Sequence, residues 1–196
     1  MEQKINKTPI DQLIYNSKIN IFWSGKPTYM KGYDYLQELV DKTSGKFNFI
    51  LNETPVSHTI KTKYNNAVTV WNLSREDQVN LWKRCNVTLL TSRVEGFSLV
   101  AAESMLLKKA LVVNTQCEII REFPMQKEIM YFNPNSISDF ISAVETADVI
   151  PFNLTEKQIL FFDSKRLALE THYFYKKVLN LKRLYTQNKS LVNKSV

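Results

Sequence analysis

The sequence predicts an α/β protein with one doubly wound parallel sheet, helices on both of its faces and a long C-terminal helix. Three observations support this fold class. Short, apolar, β-branched runs alternate with helix-forming segments over the first 150 residues, an order typical of parallel sheets. Only four glycines occur in 196 residues, and three of them fall in loops between a predicted strand and the next helix. Beyond Pro151, apolar residues recur at three- and four-residue steps, which indicates a helix.

Strands and helices are predicted in alternating order along the first 150 residues. The strands are short and rich in β-branched and aromatic residues, and they span residues 18–23, 46–51, 67–71, 86–91, 110–114 and 128–132. The helices are rich in good helix formers, and they span residues 32–42, 75–84, 98–108 and 137–146, with a short one around 118–123. Residues 54–66 fit neither pattern and are predicted to be irregular.

These elements divide the chain into four parts. We expect an N-terminal arm at residues 1–17, the sheet domain at 18–150, a helical extension at 151–186 and a basic tail at 187–196. The extension contains a helix at residues 165–185. Its apolar stripe, which would pack on the core or serve association, consists of Leu167, Thr171, Phe174, Val178, Leu181 and Tyr185.

The composition excludes several classes of protein. No segment has the apolar length of a membrane span, and the N-terminal residues lack the features of a signal peptide. Cys85 and Cys117 do not have metal-ligand spacing, and His58 and His172 stand far apart without companion ligands. The sequence therefore predicts a cytoplasmic protein whose chemistry uses no metal ion.

The net charge of +7 comes from the C-terminal segment. Residues 165–196 contain eight Lys and Arg residues against Glu170 alone, so their surplus of seven equals the charge of the whole chain. A basic helix of this kind could touch an anionic membrane surface, nucleic acid or an acidic partner. A solvated helix face with a basic tail explains the same pattern more simply, and we favour it.

Two glutamates, Glu95 and Glu103, flank the predicted junction between a buried strand and a helix. The strand at residues 86–91 is short, apolar and β-branched, and the helix at 98–108 is apolar nearly all round, as expected of a core helix. Glu95 then lies in the turn, and Glu103 about one and a half turns into the helix. Because an acid in an apolar helix needs partners, the pair suits the hydroxyl groups of a sugar or ribose. The alternative is one acid that complements the helix dipole and one exposed at an edge.

The loop between the first strand and the first helix contributes two cations. Lys26 and Lys31 leave the same end of the sheet, and Lys31 precedes a helix whose free amides already favour an anion. Ligands of open α/β sheets bind at this edge, and glycine permits positive φ or a close ligand approach there. Neither a Walker loop nor a Gly-x-Gly-x-x-Gly sequence is present. The two lysines could together neutralise a diphosphate, but an ordinary surface loop explains them more simply.

Jointly, these segments resemble the donor-binding half of family-4 glycosyltransferases, which are retaining enzymes of the GT-B architecture. The resemblance rests on Gly25-Lys26, Lys31-Gly32 and the Glu-x7-Glu segment that begins Glu95-Gly-Phe-Ser-Leu-Val, and it covers residues 18–186. It implies one Rossmann-like domain, half of a GT-B fold, that binds a nucleotide sugar such as a UDP- or GDP-sugar as substrate, with no cofactor.

The resemblance also implies roles for single residues. Lys26 and Lys31 would hold the diphosphate, Glu95 the sugar hydroxyls as the catalytic residue, and Glu103 the ribose. Other donor-binding residues would be Gly25, Gly96, Phe97, Ser98 and Leu99 around the diphosphate and Trp71, Asn72 and Leu73 around the base. Transfer of the sugar would be metal-independent, because the lysines replace a cation at the leaving group.

Two features depart from that family. The acceptor site there belongs to an N-terminal Rossmann-like domain, whereas seventeen residues precede the first strand here, and the glycine-rich turn after the second strand is missing. A separate acceptor subunit or a second copy of the chain would supply the missing wall. Two other hypotheses stay open: an inactive α/β interaction protein with a vestigial pocket, and a binder of anionic surfaces or nucleic acid through the basic C-terminal helix.

Overall fold

A computed structural model describes residues 13–14, 17–54, 66–124, 126–152 and 154–192, with side chains as far as residue 179. Its sheet has six strands in the order β3-β2-β1-β4-β5-β6, and every strand pair is parallel. The strands are β1 (Ile19–Gly25), β2 (Phe47–Glu53), β3 (Ala67–Val70), β4 (Val87–Leu90), β5 (Ala110–Asn114) and β6 (Ile129–Phe132). The predicted parallel sheet is confirmed. The predicted irregular segment falls mostly on residues 55–65, outside the described residues.

Six α-helices accompany these strands in the described part of the chain: α1 (Tyr33–Lys42), α2 (Arg75–Arg84), α3 (Leu99–Leu106), α4 (Ile137–Val149), α5 (Glu156–Leu160) and α6 (Ser164–Val192). The chain divides into one compact unit at Met1–Leu154 and a second at Thr155–Val196. The second unit contains α5 and α6. Helix α6 continues through residues 187–192, where the sequence predicts a tail.

Helices cover both faces of the sheet. On one face, α1 and α4 pack through Leu36, Leu39 and Phe140 against the buried side chains of β1 and β2. On the other face, Trp82 of α2 stacks on Phe22 of β1 with ring centroids 4.5 Å apart. Burial on both faces explains why apolar residues occupy consecutive rather than alternating positions in strands such as β5.

Helix α3 is less buried than its apolar sequence predicts. Ala101, Ala102 and Met105 are buried, whereas Leu99 and Leu106 are 67% and 48% exposed. The helix is also shorter than predicted. Ser98 caps it by accepting a hydrogen bond from the Ala101 N–H, and Lys108, just beyond its end, has a positive φ of 57°. The prediction of a core helix, apolar nearly all round, at residues 98–108 is therefore wrong at these two exposed leucines.

Two short segments differ from a regular α-helix. The predicted helix around residues 118–123 is a 3-10 helix at Glu118–Glu122, and a second 3-10 turn covers Gln126–Glu128. No helix among the described residues has both the length and the apolar character needed to cross a membrane.

Candidate functional site

The site lies where the strand order reverses. Strands β1 and β4 are neighbours in the sheet, yet β1 leads into α1 on one face and β4 leads towards α3 on the other. The carboxyl ends of these two strands form the edge at which open α/β sheets bind ligands. The loop at residues 26–32 and the turn at residues 91–98 follow these two strand ends.

Hydrogen bonds fasten this loop and this turn to each other. The Thr91 hydroxyl accepts from the indole N–H of Trp23 at 3.0 Å and donates to the Lys31 carbonyl at 2.7 Å. The Arg93 N–H donates to the Met30 carbonyl at 3.0 Å. The two segments are therefore held as one frame, although about sixty residues separate them in the sequence.

Gly32 allows this close approach. It lies at the N-terminus of α1 with φ of 63°, and a Cβ atom there would stand 2.1 Å from the Thr91 carbonyl oxygen. A side chain would meet backbone at that position, so only glycine fits. Gly96 differs, because it has neither a positive φ nor a neighbour within 4 Å of an added Cβ. The folded backbone does not require glycine at residue 96.

Lys31 and Glu95 meet inside this frame. The ammonium Nζ of Lys31 lies 2.6 Å from Oε1 of Glu95, and the Ser92 hydroxyl donates to the same oxygen at 2.7 Å. The Glu95 side chain is only 9% exposed, against 34% for Lys31. Among the described residues, no donor reaches Oε2 of Glu95. That oxygen is thus available to a ligand hydroxyl.

The thiol of Cys117 lies close to this ion pair. Burial raises the pKa of Cys117 to about 12, and the negative charge of Glu95 adds to the shift while Lys31 opposes it. A pKa raised in this direction favours the protonated thiol, the less nucleophilic form, at neutral pH.

Arg93 supports the loop from its outer side. Its guanidinium donates to both carboxylate oxygens of Asp34 at 2.7 and 2.6 Å and to the Tyr29 carbonyl at 2.6 Å. The rings of Tyr29 and Tyr35 lie 3.8 and 3.9 Å from its central carbon. The hydrogen bonds from Arg93 lower the pKa of Asp34 despite some desolvation. This cluster fixes the segment that positions Lys31, and the sequence prediction missed it.

Glu103 has a protein partner that the sequence did not reveal. Arg75, at the start of α2, donates to its two carboxylate oxygens at 2.6 and 3.3 Å. The side chains of Arg75 and Glu103 are 59% and 32% exposed. A pair this exposed is weakly stabilising and exchangeable. Glu103 therefore lies on the α2 side of the site, away from the contact between Lys31 and Glu95.

The residues predicted around the diphosphate show mixed exposure. Ser98 is buried, whereas Leu99 and Phe97 are 67% and 49% exposed, and the Phe97 ring lies 5.7 Å from that of Phe123. Residues 97–99 lie at the N-terminal end of α3. Backbone N–H groups in the first turn of a helix lack partners within the helix. Lys26 is exposed and forms no ion pair with any residue that the structure describes.

A separate polar cavity of about 250 Å³ lies at the carboxyl ends of β1, β2 and β3. It includes two residues predicted near the base, whereas Trp71 is 49% exposed and outside the lining. The lining consists of Ser24, Asn52, Glu53, Thr54, Asn72, Leu73 and Gln78. Asn72 has a positive φ of 54°, which turns the chain from β3 towards α2.

Glu53 also lines this cavity, and it was not predicted from the sequence. Glu53 is the last residue of β2, is 6% exposed and accepts a hydrogen bond from the Tyr33 hydroxyl at 2.8 Å. Burial raises the pKa of its carboxyl, although the bond from Tyr33 opposes the shift. The signal was present, because this acid stands two residues beyond the predicted strand at residues 46–51, at the edge where ligands bind.

Within the described ranges, no group of three or more His, Cys, Asp or Glu side chains could hold a metal ion.

A family model described as "Glycosyl transferases group 1" matches residues 5–147. A sucrose-phosphate synthase from Thermosynechococcus elongatus superimposes with a TM-score of 0.67 at 14% identity, over 87% of this chain and 48% of that one. No curated protein sequence matches the chain.

Two further solved structures share the fold. A UDP-forming trehalose-phosphate synthase from Burkholderia xenovorans has a TM-score of 0.54 at 15% identity, over 70% of this chain and 38% of that chain. The trehalose-6-phosphate protein from E. coli bound with UDP-2-fluoro glucose has a TM-score of 0.54 at 16% identity, over 76% and 39%.

The chain thus spans less than half the length of these neighbours. Its parallel sheet and helices correspond to one Rossmann-like half of a GT-B fold. Because the family model covers most of the sheet unit, this chain belongs to the group 1 glycosyl transferase family.

Proposed function

We propose that this chain binds a nucleotide-diphosphate sugar at the β1–β4 switch point and takes part in transfer of the sugar with retention. The observation that carries the proposal is the contact between Lys31 and Glu95 in a frame of hydrogen bonds. A cation and an acid side by side suit a ligand with an anionic leaving group and a hydroxylated sugar. Membership of a glycosyl transferase family supports the same conclusion.

The leaving diphosphate is assigned to the cationic side of the site. Cleavage of the bond between sugar and phosphate builds negative charge on the phosphate and positive charge on the anomeric carbon. Lys31, Lys26 and the amides of Phe97, Ser98 and Leu99 would stabilise the negative charge without a metal ion. Gly25 and Gly96 leave room for the diphosphate to approach the backbone, since neither adds a side chain there.

Glu95 is assigned to the sugar. A diphosphate that binds Lys31 competes with the carboxylate of Glu95 for the same ammonium group. Release of Oε1 then adds a second acceptor for sugar hydroxyls, and the charge of Glu95 faces the developing positive charge of the sugar. Diphosphate binding and sugar orientation are therefore coupled through one ion pair.

The nucleoside is assigned to the β3–α2 side of the site. Glu103 would accept from the ribose hydroxyls after exchange of its partner Arg75, and Asn72, Leu73 and the neighbouring Trp71 would surround the base. In this proposal a separate subunit or a second copy of the chain supplies the acceptor wall. A panel of UDP-, GDP- and ADP-sugars in ligand-detected NMR tests donor binding directly.

Lys31→Ala should weaken binding of the preferred nucleotide sugar by about tenfold or more, because one charge-assisted contact to the diphosphate is lost. Isothermal titration calorimetry measures this change. Lys42→Ala is the matched control, since Lys42 pairs with Glu38 elsewhere on the α1 segment. If wild type and Lys31→Ala bind the nucleotide sugar equally well, the assignment of the diphosphate to this loop is wrong.

Glu103→Ala should also weaken nucleotide-sugar binding, by about fivefold to tenfold, because ribose hydroxyls lose their acceptor. Arg75→Ala separates this role from a purely structural one. Loss of Arg75 leaves the carboxylate of Glu103 free for the ribose, so binding should be retained or strengthened in calorimetry. Equal weakening by both substitutions would mean that the ion pair matters only for the fold.

A further inference from the structure

We infer that the polar cavity beside β2 receives a guanine base, which Glu53 recognises through its carboxylate. The inference rests on the proposed function, since it names the nucleotide that the same site would take. It concerns the cavity lined by Ser24, Glu53, Asn72 and Gln78, among others, and not the ion pair at the switch point.

The carboxylate of Glu53 is held in a fixed position. Its backbone lies at the end of β2, paired in register with Gly25 of β1, and the following Thr54 N–H donates to the Gly25 carbonyl at 3.0 Å. The Tyr33 hydroxyl holds Oε1 at 2.8 Å. Within the part of the chain that the structure describes, no donor reaches Oε2. A buried carboxylate with unused acceptor capacity is costly unless a ligand or water supplies donors.

The cavity is small and polar. Among the described residues, Leu73 is the one apolar residue of the lining, and the volume of about 250 Å³ is below that of pockets for drug-sized ligands. Asn52 and Ser24 already bond to each other at 3.1 Å, and Glu53 is the charged acceptor among the lining residues that the structure describes. A flat polar ring fits these features better than an apolar group does.

The cavity also stands at the right place in the sheet. Ser24 lines it, and the next residue, Gly25, lies close to the Lys31 side chain, whose Cδ is 3.9 Å from a Cβ built at Gly25. The proposed diphosphate position and the cavity therefore adjoin across the end of β1. A nucleotide with its phosphates at Lys31 can extend along the strand ends from β1 towards β3.

Guanine is the base whose donors match a carboxylate. Its N1–H and 2-amino group are adjacent and point the same way, so they can donate to the two oxygens of one carboxylate. Adenine and cytosine each place a ring acceptor beside their amino group, and uracil flanks its single N–H with two carbonyl oxygens. Each of these three bases would bring an acceptor against the carboxylate of Glu53.

The test compares free GDP, IDP, UDP and ADP by calorimetry with wild type and Glu53→Gln. Wild type should bind GDP about tenfold more tightly than UDP or ADP, and more tightly than IDP, which lacks the 2-amino group. Glu53→Gln keeps an acceptor for Tyr33 but pairs an amide with the base, so GDP should lose its advantage. Glu76→Gln, an exposed change on α2, serves as the control, and thermal melting checks that both variants are folded.

The outcomes separate this inference from the proposed function. Similar affinity for all four diphosphates in wild type, or a preference for UDP or ADP, overturns the guanine assignment and leaves diphosphate binding intact. Equal weakening of all four by Glu53→Gln also overturns it, because the acid would then contact the ribose rather than the base. Failure of every nucleotide diphosphate and nucleotide sugar to bind overturns the proposed function itself, and the base assignment with it.

Discussion

Gly32→Ala is expected to lower the free energy of unfolding by about 3 kcal/mol or more. An alanine at φ of 63° costs about 1 to 2 kcal/mol by itself. The larger part comes from the 2.1 Å approach between the added Cβ and the Thr91 carbonyl oxygen. That oxygen belongs to backbone, so relief requires the loop to leave the turn that contains Glu95. Urea denaturation followed by circular dichroism measures the change.

Two other glycines provide matched controls for this substitution. Gly45 has φ of 86° but open space around an added Cβ, so Gly45→Ala should cost only about 1 kcal/mol. Gly96→Ala should stay within about 0.5 kcal/mol of wild type, because Gly96 has neither constraint. A loss at Gly32 no greater than that at Gly45 would show that the contact with Thr91 is not important for stability.

Glu95→Gln is expected to reduce sugar transfer by about a hundredfold or more while nucleotide binding stays the same or becomes tighter. The substitution removes the charge opposite the anomeric carbon. It also weakens the hold on the Lys31 ammonium, now 2.6 Å from the carboxylate, so a diphosphate meets less competition. Release of nucleoside diphosphate from the donor measures transfer, and calorimetry measures binding.

Glu38→Gln is the control for that experiment. Glu38 also pairs with a lysine, Lys42, but both lie on the exposed face of α1, so neither transfer nor binding should change. Wild-type transfer activity in Glu95→Gln would contradict the role assigned to this carboxylate. A parallel fall in binding would indicate instead that the charge of Glu95 positions Lys31 in the ground state.

Much of the fold was predictable because local and tertiary preferences agree. Helix α2 and strand β5 have the predicted bounds, and both are defined by uninterrupted local patterns. The ends of α3 were not predictable in this way. They depend on the Ser98 cap and on the positive φ of Lys108, whereas the apolar pattern continues through both positions.

The candidate site was predictable in position but not in its contacts. The switch point and the meeting of Lys31 with Glu95 follow from strand order, since the carboxyl ends of β1 and β4 adjoin. Arg93, by contrast, reaches Asp34 across 59 positions of sequence, and Arg75 reaches Glu103 across 28. Such pairs depend on side-chain directions that a single sequence does not encode locally.

The double hydrogen bond at the Thr91 hydroxyl has a practical consequence. It ties the indole of Trp23 to the carbonyl of Lys31. Because the backbone of the site is thus already in place, binding of the nucleotide sugar should require only rearrangement of side chains. Crystals grown without ligand should then survive soaking with a nucleotide, and the lattice should diffract as before.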